Sequence, residues 1–431
     1  MNYQETLDYL YSCLPMYQRI GKTAFKKDLD NTFKLCEKLG DPQTKFRSVH
    51  IAGTNGKGST AHSLAAILQC AGYKTGLYTS PHLKSFTERI KINGKEISQQ
   101  EVVEFVENIK ATIEIIQPSF FEMTVAMAFD HFSRHQVDIA IIEVGLGGRL
   151  DSTNVITPEL SLITNISKDH TDMLGNTLQA IAEEKAGIIK EGIPVVIGEH
   201  NELTAPVFLH HAQSLTAPLF FAENEYSARE NDKKEYSEPS LNFFKNEDNF
   251  LSDVKVNLKG NYQAKNLPAI LKAIELLGDI GYSTTKDHIK EGLENTVKIT
   301  GLKGRWQCLQ EEPKIICDIG HNEAGVRSIM EQLAQIDYKT LHIVWGMVND
   351  KKIDTILSLL PEHAHYYFCQ AQVPRALDAK ILAAQAKQFG LGGEIIHNVN
   401  IALERAKVCA KEGDVIFVGG STFVVAEVDD L

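Results

Sequence analysis

Apolar residues along this chain fall into two recurring patterns: short continuous runs, and longer stretches in which they return every three or four positions. The first pattern reads as buried strand and the second as amphipathic helix. Runs at Val49–Ala52, Thr75–Tyr78, Val137–Glu143, Leu160–Thr164 and Pro194–Ile197 alternate with helical patterns over Ser59–Ala71, Ser98–Gln117, Phe121–His135 and Leu178–Ile188. Such alternation predicts strand-helix-strand units and a mostly parallel sheet. Residues 1 to about 40 read as helical. From Glu223 to Asp253 the chain turns polar and charged ("ENEYSARENDKKEYSEPS") and periodicity weakens, which predicts hairpins and a surface excursion whose charge run is a solvated face. Gln263–Leu277 returns to helix, and "TVKITGLKGRWQ" reads as the passage into a second unit. There, strands at Lys314–Cys317, Leu341–Trp345, His365–Cys369, Gly393–Ile396 and Asp414–Val418 alternate with helices at Glu323–Ile336, Ile353–Leu359 and Asp378–Phe389. The expectation is an α/β chain of two domains, 1–297 with a mostly parallel sheet and a smaller Rossmann-like 298–431.

The first strand runs into "GTNGKGS", and a helical pattern follows. A glycine-rich loop between strand and helix lets backbone N–H groups close around phosphate oxygens at the positive end of the helix dipole. Lys57 suits the outer phosphates and the Ser59 hydroxyl suits magnesium, with Asn55, Gly56 and Gly58 completing the cradle. The spacing is a variant of the common phosphate loop, because only two residues separate Gly53 from Gly56 and the lysine precedes Gly58. The first domain is therefore expected to be a phosphate-loop ATPase type.

Composition narrows the setting. At 431 residues, with 43% hydrophobic and 23% charged residues, the chain has the make-up of an ordinary globular protein. It has no apolar run of about 18 residues to cross a membrane, and "MNYQETLDYLYSCL" lacks the features of a secretory signal. A cytoplasmic protein is the expectation. A net charge of −12 speaks against wholesale nucleic-acid binding. Seven scattered cysteines, never spaced C-x-x-C, suit a reducing compartment and point to neither zinc nor a disulfide framework.

Three polar segments follow three of the first domain's strands: the glycine loop, "EVGLGGRLDSTN" from Glu143, and "NISKDHTD" after Thr164. In a parallel sheet the carboxyl ends lie along one edge, so Lys57, Glu143 and His170 are expected at one site. Glu143 with a hydroxyl such as Ser80 of "TSPHL" suits magnesium, and a neutral His170 is a less usual addition. Arg149 beside Asp151 reads as a local ion pair or a loop approached by ligand. Phe120 and Phe121 of "SFFEMT" suit either a flat heterocycle or the core. By residue type alone Lys185 reads as a solvated helix lysine.

In "GTNGKGS", "TSPHL", "SFTERIKING", "EVGLGGRLDSTN", "DHTDMLG", "EEKAGIIK" and "GRWQ" the chain resembles the folylpolyglutamate synthase and dihydrofolate synthase family of the Mur ligase superfamily, from near residue 45 to the C-terminus. That resemblance implies an ATPase domain joined to a smaller α/β domain of dihydrofolate-reductase-like topology, with catalysis in the cleft between them. The implied reaction couples a carboxylate of dihydropteroate or folate to L-glutamate through an acyl phosphate, releasing ADP and phosphate. It implies Ser80, Glu143 and His170 as magnesium ligands, and Lys185 as a carbamylated lysine near a second magnesium. Asn266 is the implied adenine contact, Arg305 and Asp318 the second domain's nucleotide contacts, and Lys57, Lys185 and His321 the catalytic set. Ser119, Phe120, Phe121 and Glu122, with Leu150, Asp151 and Ser152, align with the pteroate-binding segments of bifunctional members. Both synthase activities and a monomer are implied.

Two departures stand out: Gly320 in "DIGHN" replaces the family's alanine, and "NDKK" at Asn349–Lys352 stands where D-K-D is common. The competing readings are a Mur ligase acting on a cell-wall UDP-sugar precursor and a phosphate-loop nucleotide switch. No N-K-x-D run for reading guanine is present, and a second α/β domain exceeds what a switch requires.

Overall fold

The computed structural model describes residues 1–15, 28–231, 240–349 and 353–431. Lys352, whose charge departs from the family pattern, lies outside the described residues. The chain forms two units, Met1–Leu258 with Gln263–Leu302, and Lys259–Tyr262 with Lys303–Leu431. The passage thus falls at Leu302/Lys303 rather than at 297/298, and four residues from before the Gln263 helix pack with the second unit.

The first unit is built on eight strands: β1 (Ser48–Ala52), β2 (Thr75–Tyr78), β3 (Ile90–Ile92), β4 (Lys95–Glu96), β5 (Ile139–Glu143), β6 (Leu160–Ile163), β7 (Val195–Ile197) and β8 (Leu219–Phe221). Their order is β4-β3-β2-β5-β1-β6-β7-β8, parallel from β2 to β8 and antiparallel at the β3 and β4 edge. Strands β1, β2, β5, β6 and β7 are buried at every position, which is why they read as unbroken apolar runs. Alternate residues of β5 serve two cores. Ala140 and Ile142 join Phe129, Phe132 and Val106 on one face, while Ile139 and Ile141 join Leu64, Leu68 and Ile270 on the other.

The helix Lys57–Cys70 is buried almost all round, polar residues included. His62 Nδ1 meets Thr300 Oγ1 at 2.7 Å, and a Cβ on Gly292 would lie 2.6 Å from Ile67 Cα, so a neighbouring helix crosses in close contact. The expected N-terminal helical region holds the helices Tyr3–Cys13 and Asp30–Lys38.

The polar stretch after Glu223 departs from expectation. Strands β9 (Tyr226–Glu230), β10 (Leu241–Lys245) and β11 (Asp248–Val254) form an antiparallel sheet, so hairpins are present. Yet Tyr226, Phe243 and Val254 are buried against Leu267, Ile270 and Leu271. The sheet is half core, its inward face masked in the sequence by charged residues on the outward one.

In the second unit β12 (Gln307–Glu311), β13 (Lys314–Cys317), β14 (Leu341–Trp345), β15 (His365–Phe368), β16 (Gly393–Ile395) and β17 (Val415–Gly419) are ordered β12-β13-β17-β14-β15-β16. All neighbours are parallel except β12 with β13. Sequence reading missed β3, β4, β8 and β12, which lie at or next to the sheet edges; β3, β4 and β8 have three residues or fewer and β12 is buried at no position, so none shows a clear apolar run. No helix among the described residues is long and apolar enough to cross a membrane.

Candidate active site

Register places the polar segments along one edge of the first sheet. Tyr78 pairs with Ile142, Ile51 with Glu143, and Ala52 with Ile163, so the chain leaves β2, β5, β1 and β6 side by side. Ser80, Glu143, Gly53 and the segment from Thr164 to His170 follow those ends directly.

The glycine loop is laced to the segment after β6. Thr54 N donates to Asn165 O at 3.0 Å, Asn55 N to Asn165 Oδ1 at 3.0 Å, and Thr164 Oγ1 to Asn55 O at 2.6 Å. Thr54 Oγ1 and Ser167 exchange two further bonds, at 3.0 and 3.1 Å. Two glycines are required. At φ +146° a Cβ on Gly53 would lie 1.8 Å from Thr164 Oγ1, and at φ +84° one on Gly56 would lie 2.2 Å from Asn266 Oδ1. Gly56 caps the helix Lys57–Cys70, leaving its first amides facing the loop. Gln263 Nε2 donates to Ser59 Oγ at 3.1 Å and Gln263 Oε1 accepts from Asn266 Nδ2 at 2.9 Å, so the Asn266 amide is held beside the loop.

Two lysines converge on one carbonyl. Lys57 Nζ donates to Gly53 O at 3.1 Å and Thr54 O at 3.2 Å, and Lys185 Nζ donates to the same Gly53 O at 2.8 Å. Lys185 is only 4% exposed, which overturns the solvated-lysine reading of its residue type. Burial and then the Lys57 charge push its ammonium down to about 7, with Asp169 and Asp151 acting in the opposite sense. Asp151 is itself buried. It accepts from the Leu146 amide at 2.8 Å, the Thr153 amide at 3.0 Å and the Thr153 hydroxyl, while burial holds its carboxyl above the usual range. Thr153 Oγ1 in turn meets His50 Nε2 at 2.8 Å.

Of the two readings of Arg149 beside Asp151, a local ion pair or a loop approached by ligand, the ion pair does not form. Arg149 Nη2 instead bonds Glu184 Oε1 at 2.8 Å, and a Cβ on Gly148 would lie 2.7 Å from Glu184 O, so this loop lies flat on the helix Leu178–Ala186. Seating the loop on that helix is what brings Asp151 near Lys185.

Ser80 N donates to Glu143 Oε2 at 3.1 Å, which orients a buried carboxylate beside the serine. His170 has a left-handed backbone at φ 48°, and its amide donates to Asp169 Oδ1 at 2.8 Å. A carboxylate, a hydroxyl and an imidazole on neighbouring strand ends fit a magnesium ion completed by phosphate oxygens and water.

The aromatic segment is largely structural in its contacts. Ser119 and Glu122 form the capping box of the helix Phe120–Arg134. Phe120 is buried, with Tyr11 and Phe86 rings at 5.5 and 5.8 Å and the Arg89 guanidinium 5.3 Å over its face. Phe121 is partly exposed and packs over Gly145, where a Cβ would meet its ring at 2.4 Å. Ser152 is buried and begins a short helical turn, whereas Leu150 is half-buried on the loop surface.

In the second unit Asp318 is a hub. Its carboxylate accepts from the Tyr262 hydroxyl at 2.5 Å, the Trp306 amide at 2.7 Å and the Gly320 amide at 2.8 Å, and burial raises it above the ordinary range against these bonds and the Arg305 charge. Arg305 reaches the Lys303 and Gly304 carbonyls at 3.4 Å, and His321 Nδ1 lies 3.0 Å from Ile319 O. A Cβ at Gly320 would sit 2.5 Å from Ile329 Cδ1, the end of a side chain that can shift, so an alanine fits here once Ile329 moves.

Sequence reading missed His50, Thr153, Asn165, Asp169, Gln263 and Tyr262. They lie outside the segments singled out for ligand contact or inside them without a role; the adjacency of β1 and β6 brings Asn165 to the loop, and Tyr262 acts in the second unit through Asp318.

A phosphate-loop sheet edge carrying a buried lysine is the architecture of a Mur ligase, and residues 51–274 match the Mur ligase middle domain while 304–422 match the Mur ligase glutamate ligase domain. The chain is 36% identical to the dihydrofolate synthase/folylpolyglutamate synthase of Bacillus subtilis (strain 168), over 84% of this chain and 85% of that one. It belongs to the dihydrofolate synthase/folylpolyglutamate synthase family. Among solved structures, it is similar to Escherichia coli FolC in complex with DHPP and ADP (TM-score 0.86, 29% identity, covering 99% of this chain and 96% of that one). It is also similar to the bifunctional folylpolyglutamate synthase/dihydrofolate synthase of Yersinia pestis CO92 complexed with AMPPNP and Mn ion (TM-score 0.83, 29% identity, covering 99% and 97%).

Proposed function

We propose that this chain is an ATP-dependent ligase that joins L-glutamate to the carboxylate of dihydropteroate and to the γ-carboxylate of a folate. The observation that carries this reading is the pair Lys57 and Lys185 on the Gly53 carbonyl, inside a loop whose glycines admit no side chain. A carboxylate is a poor electrophile. Its oxygen attacks the γ-phosphorus of ATP, ADP leaves, and the acyl phosphate formed is then attacked by the glutamate amine, releasing phosphate as the amide forms.

Each residue has a part in that scheme. Lys57 offsets charge on the outer phosphates, Asn55 to Ser59 close around them, and Asn266 faces the adenine. Ser80, Glu143 and His170 would hold magnesium, which when bound would supply charge neutralisation for phosphoryl transfer. Lys185, with its ammonium near 7, is neutral in a large fraction of molecules at physiological pH. A neutral amine adds to carbon dioxide with loss of a proton, giving a carbamate whose oxygens suit a second magnesium. Arg305, Asp318 and His321 are the second unit's contributions, Asp318 acting by holding the Arg305–Trp306 turn. The half-buried Leu150 and Phe121 are the pteroate contacts we favour within their segments, since Ser119, Phe120, Glu122, Asp151 and Ser152 are buried. The reading includes a monomeric cytoplasmic enzyme.

The test is phosphate release by the purified protein with ATP, magnesium and glutamate, on addition of dihydropteroate or of tetrahydrofolate, with the glutamyl product confirmed by mass. Turnover with both acceptors is expected. Turnover with one removes half of the proposal, and silence with both while ATP still binds would overturn it in favour of a cell-wall precursor.

A further inference from the structure

Away from the nucleotide edge, the helices Gln99–Ile116 and Phe120–Arg134 bring three ligand-type side chains together, Glu101, His131 and His135. Their donor atoms all lie within 4.8 Å of one another. Glu101 Oε1 stands 2.9 Å from His135 Nε2 and 3.4 Å from His131 Nδ1. At usual zinc bond lengths, the donors of a tetrahedral site stand roughly 3.3 Å apart. Histidines four residues apart share one helix face, a spacing that chelates metal elsewhere.

The surroundings prepare the three groups unequally. The other carboxylate oxygen of Glu101 is occupied, because Ser98 donates to Oε2 through its amide at 3.1 Å and its hydroxyl at 2.7 Å. Oε1 is thereby aimed at the imidazoles, as an outer hydrogen bond orients a metal-binding carboxylate. His131 is 4% exposed and its Nδ1 has no hydrogen-bond partner, an expensive state for a buried ring nitrogen. His135 is partly exposed, so the fourth position opens to water. A simple Glu101–His135 pair at a helix end accounts for one of these contacts and leaves the His131 nitrogen 3.4 Å from the same carboxylate oxygen without a hydrogen bond.

We propose that Glu101, His131 and His135 form a binding site for a divalent transition metal of the zinc class, clamping the two helices at the end of the Phe120–Arg134 helix opposite Ser119. Two nitrogens and one carboxylate favour zinc, nickel or copper over magnesium or calcium, which take oxygen ligands. Lys74, on the His135 carbonyl, and Arg134, paired with Asp130 at 2.9 Å, are the cations nearest the cluster. This site is independent of the ligase reading above.

The experiment titrates zinc chloride into the full-length protein, stripped with chelator and held in excess magnesium, against a chromophoric competitor. One equivalent is expected to bind with a Kd on the order of 10 μM or tighter, and cobalt in its place is expected to give the intense visible bands of a four-coordinate site. His135→Ala and Glu101→Gln are each compared with wild type, with ATP binding checking that the fold survives. A loss of at least about 30-fold in zinc affinity in either variant, with ATP binding retained, supports the site. Unchanged zinc affinity in both variants, or no saturable binding below about 100 μM, overturns it.

Discussion

Lys185 is the residue whose chemistry depends most on where the fold puts it. A lysine in water is charged up to a pKa of about 10.4, whereas the buried Lys185 ammonium gives up its proton near 7. Between those values the unfolded chain binds one proton more than the folded one, so stability rises with pH across that window. The slope for one proton is at most about 1.4 kcal/mol per pH unit. Urea midpoints of wild type and Lys185→Met in carbon-dioxide-free buffer, at about pH 6 and about pH 9, test this. The variant is expected to be the more stable relative to wild type at the lower pH, with that advantage shrinking at the higher one. Equal differences at both values would show that the amine is not held in a depressed state. In the same way Asp151, which beside Arg149 reads from sequence as half of a local ion pair or part of a ligand loop, becomes a buried acceptor of three bonds because Thr153 and the Leu146 amide surround it.

At the scale of elements, the junction of β1, its loop and the helix Lys57–Cys70 carries the nucleotide reading. Strand, glycine loop and helix are all legible, because burial on both faces makes β1 an unbroken apolar run and the glycines mark the turn. What is not legible is what the glycines make room for. Gly56 lies under Asn266, some two hundred positions later, and Gly53 under Thr164. Gly56→Ala places a Cβ 2.2 Å from Asn266 Oδ1 and forces a left-handed backbone on alanine. The strained backbone alone costs about 1 kcal/mol or more. Nucleotide binding, measured by calorimetry, is expected to weaken at least about 10-fold, since the loop amides and Asn266 move together. An unchanged affinity would separate Asn266 from the nucleotide. The hairpin sheet after Glu223 is the converse case: charged outward residues obscured the apolar face that Tyr226, Phe243 and Val254 present to the core.

Across the whole molecule, the chain passes between units more than once, and the segment Lys259–Tyr262 belongs with the second unit. Tyr262 is tied there by its hydroxyl to Asp318, and Asn261 by bonds of 2.8 and 2.7 Å to Gln332 and Gln335. Tyr262→Phe leaves the buried Asp318 with the Trp306 and Gly320 amides only, a loss expected to cost about 1–3 kcal/mol. The two tryptophans, Trp306 and Trp345, both lie in the second unit, so their fluorescence follows its unfolding alone. A lower urea midpoint by fluorescence is expected for Tyr262→Phe, and no shift would mean that the phenol bond contributes nothing.

From sequence alone, this protein is legible as two α/β units with a phosphate loop after its first long apolar run, and its motifs carry the family resemblance. Those features depend on neighbours in the chain, where periodicity, glycine spacing and capping chemistry act over a few residues. Tertiary structure decided which side chains face one another: Lys57 and Lys185 on one carbonyl, Arg149 on Glu184 rather than Asp151, Tyr262 on Asp318, and two histidines on Glu101. Such pairings follow from strand order and helix seating, and so do the burial and neighbouring charges that move a lysine from a surface cation to a neutral amine.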